Sequence, residues 1–84
     1  MLEIYAIKDT KVGEFQNPFY QRSKGEAIRS VTAAVNDLRP DNHYCKFAND
    51  YELWKLGEFD AKTGQINTNI EHVVNCCDLK ETNV

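Results

Sequence analysis

The sequence predicts an α+β fold, with one main helix packed on a small, mostly antiparallel sheet of three or four strands. Three observations carry this expectation. Ser23 to Leu38 has a capped, striped helical pattern, Leu2 to Asp9 and Tyr51 to Phe59 alternate as strands do, and Asp60 to Gly64 reads as a hairpin loop. With 84 residues, the chain is expected to form one domain over 1–84, with 79–84 as a frayed tail.

Taken in order, Leu2 to Asp9 places Leu2, Ile4 and Ala6 on one side and Glu3, Tyr5 and Ile7 on the other. Thr10 to Phe15, with Lys11 and Gly13, reads as a turn. Asn17-Pro18-Phe19-Tyr20 is extended and at most an edge strand, because Pro18 fixes φ and lacks a donor. At least one of Phe19 and Tyr20 is expected to pack on the core.

Ser23 followed by Glu26 is a capping box, and Ile28, Val31, Val35 and Leu38 recur at helical spacing with Ala27 and Ala34 beside them. Pro40 blocks further extension. Arg39 to Asp50 is polar and reads as a loop. Strict alternation along Tyr51 to Phe59 puts Tyr51, Leu53 and Phe59 on one side and Trp54 and Leu56 on the other. A bulge at Gly57 would place Leu56 and Phe59 together. Gln65 to Ile70 is the returning strand, and Glu71 to Leu79 fits either a strand or a short helix.

Ten basic and thirteen acidic residues give a net charge of −3. Coating nucleic acid by bulk charge is excluded, since phosphate neutralisation needs a local excess of Lys and Arg. The balance is uneven: residues 1–39 hold six basic and five acidic residues, and residues 40–84 hold four and eight. No apolar run approaches the ~18–20 residues of a membrane span. The start MLEIYAIKDT lacks the pattern of a signal peptide, so a cytosolic product without membrane contact is expected. Cys45, Cys76 and Cys77 are then free thiols.

No constellation points to catalysis, a metal or a cofactor. His43-x-Cys45 and His72-x-x-x-Cys76-Cys77 supply enough donors for zinc, but the spacing fits no compact finger. The only serines, Ser23 and Ser30, lie at the cap and within the helix, and the four glycines are scattered. What remains is a set of cations with aromatics between them: Lys8, Lys11, Phe15, Phe19, Tyr20, Arg22, Lys24 and Arg29. Such sets bind single-stranded nucleic acid. On residues alone the plainer explanation, aromatics in the core and cations in water, is the stronger.

Four stretches occur in a telling order: Asn17-Pro18-Phe19, then Gly25-Glu26-Ala27-Ile28-Arg29, then Val35-Asn36-Asp37, then Asp50-Tyr51-x-Leu53-x-x-Leu56-Gly57-Glu58-Phe59-Asp60-x-x-Thr63-Gly64. Over about residues 1–70 the chain resembles the small non-structural protein of gokushovirus-type microviruses, phages with circular single-stranded DNA. The resemblance implies a non-enzymatic phage protein of the host bacterial cytoplasm, binding single-stranded DNA during genome replication or the switch to packaging. Lys11, Arg22, Lys24 and Arg29 would contact phosphate, and Phe19 or Tyr20 would stack on bases. A homodimer or larger homo-oligomer would join two modest basic faces. The alternative is an interaction module for a phage replication protein or a host factor, without DNA contact, using the acidic half from Asp41 to Asp60.

Overall fold

A computed structural model describes residues 1–81 of the chain. Strand β1 (Leu2–Asp9) is central, flanked on one side by two short strands, β2 (Glu14–Phe15) and β3 (Phe19–Gln21). On its other side lies β4 (Tyr51–Phe59), and β5 (Ile66–Asn75) forms the far edge. Every pairing is antiparallel. The expected α+β architecture is present, but with five strands among the described residues rather than three or four. The extra strand arises because Gln16-Asn17-Pro18 interrupts what would otherwise be one edge strand, leaving β2 and β3 as separate pieces along β1.

Helix α1 (Lys24–Val35) begins at the expected cap, with the Ser23 oxygen accepting the Glu26 N–H at 3.2 Å, while the Glu26 carboxylate pairs with Arg22 instead of completing the box. It stops earlier than the stripe suggested. Asn36 is the C-cap, and Leu38 is 78% exposed. Asn42 accounts for the stop: its side-chain amide donates to the carbonyls of Ala34 at 2.7 Å and Asp37 at 2.8 Å. Those bonds satisfy acceptors that a longer helix would have used internally. The polar stretch read as a loop contains a short helix, α2 (His43–Lys46), capped by Asn42, and a 3-10 turn at Ala48–Asp50.

Helix α1 covers one side of the sheet. Ala27, Val31 and Val35 meet Tyr5, Ile7, Tyr51, Leu53 and Cys76, with Phe19, Tyr44 and Leu79 at the margin. Each fully buried aliphatic contributes roughly 1.5–3 kcal/mol, so this small cluster carries most of the stability. Below it, the Tyr5 hydroxyl donates to Glu3 at 2.5 Å and Lys55 pairs with Glu3 at 3.7 Å. Burial, reinforced by the Glu3 carboxylate, holds the Tyr5 phenol above its ordinary range.

The β1–β4 register shifts between Lys55 and Gly57, leaving Leu56 as an extra residue. That bulge corrects the strict alternation. Phe59 pairs with Leu2 and its ring meets Tyr20, so it lies on the Trp54 side of the sheet and not with Leu53. Gly57 is required here, because a Cβ would collide with the Asn67 carbonyl of β5.

The segment that fits either a strand or a short helix is both: β5 runs through Asn75, and Cys76–Leu79 forms a 3-10 turn beneath α1. The expected fraying at 79–84 does not begin at 79. Leu79 packs on the core, its carbonyl accepts from Asn36, and the Glu81 N–H donates to Asn36 Oδ1 at 2.8 Å. Residues 82–84 of that tail lie outside the described residues. Among the described residues, no helix is long and apolar enough to cross a membrane.

Candidate nucleic-acid interface

Among the described residues, no helix lies over the second side of the sheet. Strand alternation and register bring Leu2, Ile4, Ala6 and Lys8 of β1 there, opposite Phe59, Gly57, Trp54 and Glu52 of β4. Ile4 and Ala6 are buried by their neighbours' side chains, whereas Phe15 and Tyr20 are 40% and 52% exposed. The result is a floor of small aliphatics with aromatic rings standing on it.

The rings form two groups. In the first, Phe15 meets Trp54 edge to face at 5.7 Å, and Trp54 meets His72 at 5.5 Å. This row runs obliquely from β2 over β1 to β4 and β5, because Phe15 is level with Lys8 whereas Trp54 and His72 are level with Ala6. Lys8 Nζ sits 5.5 Å from the Phe15 ring centre and 5.1 Å from that of Trp54, a cation–π arrangement worth about 0.5–1 kcal/mol at an exposed site. The Trp54 indole N–H donates to Glu52 at 3.0 Å, and His72 shares a 2.8 Å hydrogen bond with Asn75, so both rings are held in place. In the second group, Tyr20 meets Phe59 at 6.3 Å. Beside it a shallow depression is bordered by Leu2, Arg22, Asp60 and Lys62.

The residues singled out from the sequence do not gather. Lys11 lies in the turn that follows β1, where its N–H donates to Asp9 at 3.0 Å. Arg22 follows β3 at the opposite end of β1, and pairs with Glu26 at 3.4 Å. Lys24 and Arg29 are exposed on α1, which belongs to the covered side. Phe19 stacks on Tyr5 at 6.2 Å and lines a cleft of about 230 Å³ with Val31, Val35 and Tyr44. It is therefore a core residue and offers no platform for a base. Of the six, only Tyr20 stands on the open side, with Arg22 at its rim. A cationic patch at the start of α1 does not form, because the chain places its contributors at two ends and on two sides of the sheet.

Trp54, Phe59 and His72 were missed, and Lys8 and Phe15 were not selected from the wider cation–aromatic set. One signal was available for Trp54. A strand with apolar residues on both sides, in a chain with one long helix, must leave one side uncovered. Phe59 could be placed there only through the bulge at Gly57, not through alternation.

The thiols and histidines are dispersed as well. Cys45 and His43 are on α2, His72 is on β5, and Cys76 is buried under α1. Burial pushes the Cys76 thiol up to about 11, assisted by Cys77 and Glu52, which makes it a poor ligand and nucleophile near neutrality. Among the described residues, no three His, Cys, Asp or Glu side chains come together as a metal would require.

The family described as Phage ORF5 protein matches residues 2–79, beyond the stretch on which the earlier resemblance rests and through the cysteine-bearing segment. No curated protein and no solved structure matches the chain. The chain belongs to the Phage ORF5 protein family.

Proposed function

We propose that this phage protein binds single-stranded nucleic acid on the uncovered side of its sheet. The carrying observation is the Phe15–Trp54–His72 row with Lys8 placed over two of its rings. Rings on an open sheet are the means by which small sheet-on-helix modules hold unstacked bases, each base–ring stack contributing ~1–3 kcal/mol. The Tyr20–Phe59 pair supplies a second platform along β1. Lys8 and Lys11 at one end, with Arg22 and Lys62 at the other, supply phosphate contacts. The gokushovirus resemblance points to the phage's single-stranded DNA as the ligand, in genome replication or the packaging switch, within the host cytoplasm. This is a binding role without catalysis: the side chains with the most strongly shifted ionisation, Tyr5 and Cys76, are buried under α1, away from the open side.

Titration of fluorescent single- and double-stranded DNA of matched sequence tests this. Retention of the single strand is expected at low salt. Three or four phosphate contacts give a slope of about −2 to −3 in log affinity against log salt, at ~0.7 per contact. Absence of retention at low salt rejects the reading. It would favour the second one, docking of a phage replication protein or a host factor, which the net charge of −3 and the exposed Ile66 and Ile70 support.

A further inference from the structure

We infer that two copies of the chain join through their β5 strands, antiparallel about a two-fold axis near Ile70. Among the described residues, strand β5 pairs only with β4, so its outer edge presents backbone N–H and C=O groups without a strand partner. Exposed edges of this kind are templates for another strand unless proline, lysine, a bulge or a covering element blunts them. Against β4, β5 carries one extra residue at Asn69–Ile70 and another at Val73, so pairing with a second strand is confined to the stretch before Val73. Ile66–Asn75 contains no proline, no lysine and no arginine, and its one carboxylate is Glu71. Ile66 and Ile70 are 58% and 56% exposed.

The chemistry of the strand selects a second copy as the occupant. An axis at Ile70 sets Ile70 beside Ile70, Asn69 of each copy beside Glu71 of the other, and Thr68 beside His72. Each of these is a compatible cross-strand pair. An axis at Glu71 would oppose two carboxylates and is disfavoured. The other edge of the sheet offers no substitute, being broken by Pro18 into strands of two and three residues. Head-to-tail growth is thereby blocked, and the closed two-fold pair is the solution left. Such pairing keeps like sides together, so the aromatic rows of both copies would share one continuous surface, with both His72 residues at the seam.

Analytical ultracentrifugation of the full chain without nucleic acid tests the inference, so its outcome is independent of DNA binding. A species of twice the chain mass is expected. Ile70→Lys, at an exposed position, should weaken it at least about tenfold by setting two cations face to face, with an unchanged far-UV spectrum. Hydrogen exchange on the unmodified chain adds a check that needs no variant: β5 amides should become protected as concentration rises. A single-chain mass throughout, a dimer indifferent to Ile70→Lys, or β5 amides protected only when a foreign strand peptide is added overturns the self-pairing.

Discussion

Replacing Trp54 separates a binding role for the open side from a merely structural one. The ring touches Phe15 and His72 and lies under Lys8. Trp54→Ala therefore removes the proposed base platform and the anchor of the cation beside it. Loss of a stack costs ~1–3 kcal/mol and loss of the cation–π contact about 0.5–1 kcal/mol. Because these contributions overlap, affinity for single-stranded DNA should fall about 10- to 100-fold. Truncating a fully buried tryptophan costs about 3–5 kcal/mol of stability. Trp54 is half-buried and outside the helix-covered cluster, so about half of that is expected, and the thermal midpoint must be checked first. Trp54→Phe keeps a ring and should retain most of the affinity. Trp54 is also the only tryptophan in the chain, so its intrinsic fluorescence reports the contact directly. Anisotropy of a labelled oligothymidylate that rises while the tryptophan signal stays constant would place any binding elsewhere and refute the assignment.

Two further outcomes follow from the covered side and the bulge. Gly57→Ala should destabilise the β4–β5 hairpin by about 1–3 kcal/mol, since the added methyl meets the Asn67 carbonyl; chemical denaturation with amide exchange on β5 would register it. Alkaline unfolding should depend on Cys76. Its thiol ionises at an ordinary 9.0 when unfolded but at about 11 when folded, so the native state binds more protons between those values. Stability is full below pH 9 and falls as pH rises towards 11, and Cys76→Ala should remove that part of the loss in a denaturation series across this range.

Where a local rule acts without competition, sequence and structure agree. The runs Leu2–Asp9 and Tyr51–Phe59 are strands with those bounds, and Ser23 caps α1, because alternation and capping chemistry are written in neighbouring residues. The end of α1 was not legible, since Asn42 lies seven residues beyond Val35 and stops the helix from outside. Nor was α2, whose four residues carry no periodicity. The dispersal of the selected cations and aromatics has a related cause. Tyr20 and Phe19 are adjacent, yet a strand sends them to opposite sides, one into water and one onto Tyr5. Lys11 and Arg22 look close in the chain, but they sit at opposite ends of β1. Proximity in sequence stood in for proximity in space, and the intervening strand pairing undid it.

Asn36 has a consequence for the chain as a whole. One side chain donates to Thr32 and Leu79 and accepts from Glu81, so the helix exit and the closing turn, more than forty residues apart, are latched together. Cys76 seals the floor of the core between them. The last turn is thus a keystone rather than a trailing end: a chain cut before it would lose its floor and its latch in the same stroke.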